Sequence, residues 1–199
     1  MIRPNIPHDD YENNFSFPAS QLVLNKALTL NCTVKDLKEN DASRAKVEQT
    51  ITNEDPDFII HYDHGKPFTL FGQNNNSKEA VLDQNNVNKL SNRALSTVSC
   101  FSASGLGPLA IAHNARAYLG YTILHWANYW YANDCIEAAN EANFALLEGK
   151  TFAQAYNLGC VKYTQKFYQL IQVDIMAAAT MLWNRIHFVR LGDPNEQAI

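Results

Sequence analysis

The strongest constraint on the fold is a series of short, almost wholly apolar runs separated by longer amphipathic segments. Three of these runs are candidates for buried strands: Asp57–Tyr62, Ala94–Ser99 and Ala117–Tyr121. Runs of this kind are typical of parallel strands that are covered on both faces. Helical patterns precede and follow them at Ser20–Leu30, Asp41–Asn53 and, as two or three helices, across Asp134–Trp183. This order predicts the α/β class, as a three-layer α/β/α sandwich with a mainly parallel sheet.

Turn residues and shorter patterns assign the remaining segments. Asp41 begins the second helical pattern and is expected to cap it. The polar side chains of Gly72–Ser77 favour a loop. Shorter strands are expected at Met1–Ile6, Asn31–Leu37 and Ile186–Arg190. Because sites in such sheets form at the carboxyl ends of strands, candidate functional residues are sought just after the three buried runs.

Length and composition narrow the class of protein. A chain of 199 residues suits one domain, 1–199, which removes roughly 70% of its unfolded surface from water. With 46% hydrophobic and 18% charged residues, the composition excludes a disordered chain. The net charge is −4 without a basic stripe, and no apolar run reaches roughly 18 residues, so neither nucleic acid nor a membrane is an expected partner. Four scattered cysteines without a CxxC pair and an N-terminus without an apolar leader predict free thiols and a cytoplasmic location.

A histidine and a cysteine follow two of the buried runs. His64 and Gly65 come just after the first run, and Cys100 comes just after the second. Because adjacent parallel strands end at the same edge of a sheet, we expect His64 and Cys100 to lie close together. Acyl transfer needs a thiolate, a proton carrier and donors for the oxyanion, and the amides of Gly65 and Cys100 are candidate donors. From the residues alone, a buried inert thiol beside a surface histidine stays the commoner alternative.

The same segments resemble a known family. Asp57–Gly65 and Ser96–Ala103 are similar to the paired His-Gly and Ala-Cys blocks of the caspase-like cysteine peptidases, which include caspases, gingipains, clostripain and legumain. Ala115–Tyr121 is similar to the GA-x-AYIGY strand of gingipain-type domains, and Leu191–Pro194 resembles the GDP end of their last strand. The four matches occur in the family's order, and the gingipain type is the nearest.

The resemblance implies a caspase-like fold and a cysteine endopeptidase that hydrolyses peptide bonds through an acyl-enzyme. Cys100 would be the nucleophile, His64 the general acid for the leaving amine, and the amides of Gly65 and Cys100 the oxyanion hole. The expected partner is a peptide or protein substrate, and neither a cofactor nor a metal is required. Ser99 stands where the family usually has Ala, and Asn114 where Gly is typical, but neither change removes a catalytic group. Activation by a partner protein or by a homo-oligomer stays open.

Three residues are expected to contact substrate. In relatives, the loop after the first strand lines the pocket for the residue before the cut, where a carboxylate selects Arg or Lys. Asp9 and Asp10 lie in the corresponding loop, which implies cleavage after a basic residue. Trp126, in an aromatic cluster after the third buried run, is expected to form a wall of the groove. Solvated loop acids and simple packing of a following helix are the alternatives.

Other functions compete with the peptidase. A catalytically silent caspase-like interaction module, in a regulatory or defence assembly, would keep the fold without the activity. A metal-dependent hydrolase would use the His61–His64 segment with His113 or His125, although a second spaced histidine pair is missing. Gly105–Ala110 matches the G-x-G-x-x-A form of a dinucleotide site, but no acidic residue ends a strand about 20 positions later.

Overall fold

The computed structural model describes residues 1–4, 9–74 and 77–198. In chain order these residues form α1 (Phe17–Thr29), α2 (Arg44–Glu54), β1 (Phe58–Tyr62), β2 (Gly65–Lys66), β3 (Thr69–Asn74), β4 (Ser77–Asp83), β5 (Ala94–Val98), α3 (Leu106–Ala112), β6 (Ala117–Tyr121), α4 (Ala132–Leu147), α5 (Phe152–Leu170), α6 (Ile175–His187) and β7 (Phe188–Gly192). Short turns of other helix types lie at Glu12–Ser16, Glu39–Ala42, Val87–Leu90 and Tyr129–Tyr131. Within the described ranges, no helix is both long enough and apolar enough to cross a membrane.

The central element is a mostly parallel sheet with the strand order β1-β5-β6-β7. β1, β5 and β6 run parallel to one another, and β7 pairs antiparallel with β6. Helices flank this sheet, so the prediction of a mixed α/β chain with a mainly parallel sheet is confirmed. The three buried runs that the sequence singles out are β1, β5 and β6.

Alternating burial along the strands explains why the sheet is covered on both faces. In β6, Ala117, Leu119 and Tyr121 belong to one hydrophobic cluster, whereas Tyr118 belongs to another. Successive side chains of a strand point to opposite faces, so the two clusters lie on opposite sides of the sheet. The first cluster includes residues of α1, α4, α5 and α6, and the second includes residues of α2, α3, β3 and β4.

A hairpin replaces the polar loop that the sequence predicts over Gly72–Ser77. β2, β3 and β4 form an antiparallel sheet in which Asn74 pairs with Ser77. The loop prediction is therefore wrong for the strand residues at both ends of this segment, and residues 75 and 76 lie outside the described ranges. Polar residues form strands here because apolar residues of β3 and β4 are buried in the second hydrophobic cluster, and this burial outweighs local polarity.

Several predicted boundaries also move. The helix predicted at Ser20–Leu30 begins at Phe17, with a proline in its first turn. Asp41 does not cap α2: Asp41 lies in a short turn, and α2 begins after Ser43. The predicted final strand begins two residues late, at Phe188, because α6 continues through the preceding residue.

The predicted amino-terminal strands are reduced to isolated pairs. Ile2 forms parallel bridges to Leu37 and to His61, at the free edge of β1. Of the predicted strand at Asn31–Leu37, only Leu37 pairs in this way, and residues 5–8 lie outside the described ranges. The bridges of Ile2 nevertheless continue the sheet beyond β1.

A buried hydroxyl ties the sheet to α4. Tyr62, at the end of β1, is fully buried, and its hydroxyl donates to Oδ1 of Asn140 at 2.5 Å. Nδ2 of Asn143 donates to the same hydroxyl at 2.8 Å. Both asparagines are buried as well, so the tyrosine hydroxyl satisfies polar groups that water does not reach.

Replacing Tyr62 by Phe is expected to lower the free energy of unfolding by about 1–3 kcal/mol, because two buried amides lose their partner. Chemical denaturation followed by circular dichroism measures the change. Tyr129→Phe, at an exposed tyrosine, is the matched control and should unfold as the parent does. Equal stability of Tyr62→Phe and the parent would show that the hydroxyl contributes nothing.

Candidate active site

Two loop tips meet at one edge of the sheet. The register of the sheet pairs Tyr62 of β1 with Val98 of β5, so His64 and Cys100 each follow two residues later at the same end. The tips are in contact, because a Cβ atom added to Gly65 would overlap the carbonyl oxygen of Cys100. A residue without a side chain is therefore required directly after His64. The structure brings together the histidine, glycine and cysteine that the sequence singles out.

Cys100 lies in a tight turn after β5. The next residue, Phe101, has a φ of 55°, a left-handed conformation that is uncommon for residues other than glycine. The Cys100 side chain is half-buried, and its Sγ–H donates to the carbonyl oxygen of His125 at 3.7 Å. Burial raises the pKa of the Cys100 thiol, and hydrogen bonding with the backbone of His125 and of Cys100 itself only partly opposes this. The protonated thiol therefore predominates at neutral pH.

Carboxylates hold the imidazole of His64. Its Nε2 lies 2.9 Å from Oδ2 of Asp9 and 3.3 Å from Oε1 of Glu12. Nζ of Lys78 approaches the same two oxygens at 2.7 Å and 3.3 Å. Two cationic groups thus share two carboxylates, and the side of His64 that carries Nε2 is fixed.

The pKa of His64 is raised above its ordinary value. Burial lowers this pKa, but the hydrogen bond to Glu12 and the charges of Asp63 and Asp9 raise it by more. The charge of Lys78 opposes them without reversing the direction. The imidazolium is therefore favoured, and it is the form that donates a proton. Nε2 faces the carboxylates, and among the described residues Nδ1 forms no hydrogen bond.

Tyr11 covers His64 from the amino-terminal segment. The ring centroids of Tyr11 and His64 are 5.3 Å apart, and the Tyr11 hydroxyl lies 3.1 Å from Nδ1 of His125. Burial lowers the pKa of His125 to about 3, so this ring is neutral at physiological pH. The contacts link residues 9–12, the loop after β6 and the turn of Cys100 into one site.

Polar groups support both tips from within the sheet. Asp63 is fully buried and accepts the backbone N–H of His64 at 2.6 Å, and burial raises its pKa to about 7. Nδ1 of His61 lies 3.0 Å from the Thr97 hydroxyl, which is 2.6 Å from the hydroxyl of Ser99. Ser99, which replaces the Ala usual in the resembling family, is therefore part of a buried hydrogen-bond chain beside Cys100.

The predicted oxyanion donors are the amides of Gly65 and Cys100. The close contact of the two residues places these backbone segments side by side. Within the described part of the chain, the Cys100 amide bonds to no acceptor other than its own sulfur. The role of both amides as oxyanion donors stays a prediction.

Asp9 lies at the site, but its carboxylate already has partners. Oδ1 accepts the backbone N–H of Glu12 at 3.0 Å, and Oδ2 contacts His64 and Lys78. Burial raises the pKa of Asp9, but the hydrogen bonds from Lys78 and Glu12 outweigh it and lower the pKa to about 2. A basic substrate side chain would have to compete with Lys78 for this carboxylate.

The other two predicted substrate-binding residues lie at the surface. Asp10 directly follows Asp9 in the sequence, and its side chain is exposed to solvent. Trp126 is about half exposed and packs against Trp183, with ring centroids 6.2 Å apart. It directly follows His125, the residue whose carbonyl accepts the Cys100 thiol. Both assignments to a substrate groove stay predictions.

One group of side chains has the chemistry of metal ligands, and it differs from the alternative drawn from the sequence. Asp9, Glu12 and His64 bring potential ligand atoms within 4.8 Å of one another. Lys78 already supplies a positive charge to both carboxylates. The ring nitrogens of His61 instead bond to Thr97 and to a backbone carbonyl, so the His61–His64 segment does not assemble as ligands.

The sequence does not point to Tyr11, Glu12 or Lys78. Asp9 and Glu12 are three residues apart, which is the spacing of one helix face, and this pattern is the signal that could have paired them. Tyr11 and Lys78 carry no comparable signal, because they reach His64 from a helical turn and a hairpin whose placement depends on the tertiary fold.

In comparisons with known proteins, no family model and no curated sequence matches this chain. The likeness to caspase-like peptidases therefore depends on the four short segments quoted above and stays a prediction.

Replacing Glu12 by Gln is expected to lower the pKa of His64, because it removes the carboxylate whose hydrogen bond favours the imidazolium. Since the folded-state pKa lies above the ordinary 6.5, protonation of His64 stabilises the fold below pH 6.5. This contribution is lost as the pH rises through the raised value, and the loss should occur at lower pH in the variant. An NMR titration of the His64 ring, assigned with His64→Gln, measures the pKa.

The matched control for this titration is Glu148→Gln, which removes a carboxylate that pairs with Lys26. It should leave the pKa of His64 at the parent value. A His64 pKa that stays the same in Glu12→Gln would show that Glu12 does not govern the protonation of this ring.

Proposed function

We propose that this chain is a caspase-like cysteine endopeptidase in which Cys100 is the nucleophile and His64 is the general acid. The observation that carries the proposal is the contact of Gly65 with the Cys100 backbone, which sets an imidazole-bearing tip against a thiol-bearing tip. The parallel register of β1 and β5 supports it, because catalytic groups in such sheets gather at this edge.

In the proposed reaction, the Cys100 thiol gives its proton to solvent and the thiolate attacks the carbonyl carbon of a peptide bond. The C–S bond forms as the carbonyl π electrons move to oxygen, where the amides of Gly65 and Cys100 donate to the oxyanion. The C–N bond then breaks, and the leaving amine takes the proton from Nδ1 of His64. Water attacks the thioester, passes a proton to the neutral imidazole, and releases the acid and the thiolate.

Substrate selection is the less constrained part of the proposal. Cleavage after a basic residue requires a carboxylate in the pocket, and Asp9 already pairs with Lys78 and His64. Asp9 and Asp10 are both exposed, and of the two only Asp9 forms ion pairs with described residues. The half-exposed ring of Trp126, next to the loop that contacts Cys100, supports an apolar wall for an extended peptide.

Peptidyl chloromethyl ketones and acyloxymethyl ketones with Arg, Lys, Asp or Leu before the reactive group are expected to alkylate Cys100. Peptide mapping by mass spectrometry locates the adduct, and cleavage of a mixed peptide library measures turnover. Cys100→Ala should abolish both, and His64→Ala should slow turnover by about 100-fold or more, because proton transfer to the leaving amine is lost.

Cys160→Ala is the matched control, since Cys160 is another half-buried free thiol. It should keep full labelling at Cys100 and full turnover. Adducts at Cys32 or Cys160 without one at Cys100, or no adduct with any reagent, would count against the proposal.

The rate of turnover is expected to follow a bell-shaped pH profile with its optimum on the alkaline side of neutrality. Attack needs the thiolate, whose fraction is small because burial raises the pKa of Cys100, and departure of the amine needs the imidazolium of His64, whose pKa is also raised. Initial rates between pH 5 and pH 10 measure the profile. An optimum well below pH 6.5 would contradict these protonation states.

A catalytically silent interaction module is the second candidate. It is favoured by the bond of the Cys100 thiol to the His125 carbonyl and by the lack, among described residues, of a hydrogen bond between Cys100 and His64. In a silent module the parent would not cleave the peptide library, so Cys100→Ala would have no activity to remove. Iodoacetamide at high pH would still label Cys100, which separates an inert site from an inaccessible one.

A further inference from the structure

α6 has an apolar face on each side. Its inner side contributes Ala177, Ala178 and Met181 to the first hydrophobic cluster. Its outer side exposes large apolar side chains, with Ile175 71%, Met176 66% and Ile186 55% exposed. A surface helix normally carries polar residues on its outer side, so this outer face needs an explanation.

The exposed residues of α6 follow the spacing of a coiled-coil seam. Ile175, Ala179, Leu182 and Ile186 are all exposed, and they are separated by four, three and four residues. This is the a and d spacing with which one helix packs against another of the same kind. Met176 and Trp183 lie next to seam residues along the helix and are exposed as well, which widens the apolar outer face, whereas Ala177, Ala178 and Met181 face the core.

The charges of α6 are arranged for antiparallel pairing with itself. Asp174 precedes its first residue, and Arg185 lies in its last turn. Two such helices packed in parallel would bring like charges together, whereas an antiparallel pair sets Asp174 of one copy near Arg185 of the other. The basic residues Lys162 and Lys166 of neighbouring α5 pair with acids of α4 and add no charge to this face.

We propose that two copies of this chain associate through α6, packed antiparallel about a two-fold axis. The axis passes near the middle of the seam, so Ile175 of one copy packs against Ile186 of the other, and Ala179 packs against Leu182. The interface is isologous, as expected for a symmetric dimer. Val161 and Tyr168 of α5, which packs against α6, are exposed large apolar side chains as well.

A membrane is a poorer occupant of this face. Helices that lie in a lipid surface carry Lys and Arg along the border of their apolar side, which anionic lipids attract. The α6 face carries one Arg and one Asp, and the whole chain has a net charge of −4. In the antiparallel dimer both Arg185 and Asp174 have a partner of opposite charge, whereas anionic lipid would attract only Arg185.

Sedimentation equilibrium of the full chain over about 1–100 µM tests the proposal. The parent is expected to fit a monomer–dimer equilibrium, and Leu182→Glu should raise the dissociation constant at least about tenfold by burying a charge beside the axis. Leu22→Glu on α1 is the matched control, because Leu22 is 48% exposed and Leu182 is 41% exposed. Arg185→Glu, which sets two acids together, should also weaken the dimer, whereas Arg185→Lys should not.

Circular dichroism confirms that each variant is folded, and Arg185→Glu provides a second result if Leu182→Glu fails to fold. A parent that stays monomeric up to the highest concentration would overturn the proposal, as would a dimer that Leu182→Glu and Arg185→Glu leave intact. Flotation with vesicles of mixed neutral and anionic lipid is run in parallel. Binding to vesicles by a monomeric parent, abolished by Leu182→Glu, would assign the face to a lipid surface and also overturn the dimer.

Discussion

The arrangement of the site depends on the register between β1 and β5. Each residue of β1 pairs in parallel with the residue 36 positions later, from Phe58 with Ala94 to Tyr62 with Val98. A slip of one residue in this pairing would turn every side chain of one strand to the opposite face of the sheet. The apolar side chains of that strand would then leave the hydrophobic clusters in which they are buried. Burial of both faces therefore holds the register, and the register sets the tip of His64 and Gly65 against that of Cys100.

The surroundings of His64 favour a charged side chain, whereas those of Cys100 favour a neutral one. His64 lies among carboxylates and Lys78, where a charged ring is favoured, while Cys100 is half-buried and its thiol donates to the carbonyl of His125. A preformed thiolate and imidazolium pair is therefore not the resting state of this site. In the proposed peptidase, the rate acceleration therefore depends mainly on the oxyanion donors and on Nδ1 of His64, which act once the carbonyl carbon has been attacked.

The parts of the fold that the sequence predicts correctly are those set by local patterns. β1, β5 and β6 are continuous apolar runs, so the sequence of each run alone is enough to predict a buried strand. The hairpin of β3 and β4 is missed because its polar residues become strands only when their apolar neighbours are buried against the sheet. The same holds for the site: the tips follow from strand order, and the spacing of Asp9 and Glu12 is a local signal, but Tyr11 and Lys78 reach His64 through folded segments with no local signature. The carboxylate of Asp9, predicted from the sequence to contact substrate, contacts His64 and Lys78, and no local pattern predicts these contacts.

α6 connects the proposed dimer with the proposed active site. On its inner side, Asn184 is fully buried and binds both backbone groups of Trp126, at 2.9 Å and 2.7 Å. The preceding residue of that loop is His125, whose carbonyl accepts the Cys100 thiol. Association that requires a formed α6 stabilises every conformation in which α6 is formed, and with it the loop that Asn184 holds. Because Asn184 and the seam lie on opposite sides of one helix, only the width of α6 separates the proposed dimer contact from the loop whose His125 carbonyl accepts the Cys100 thiol.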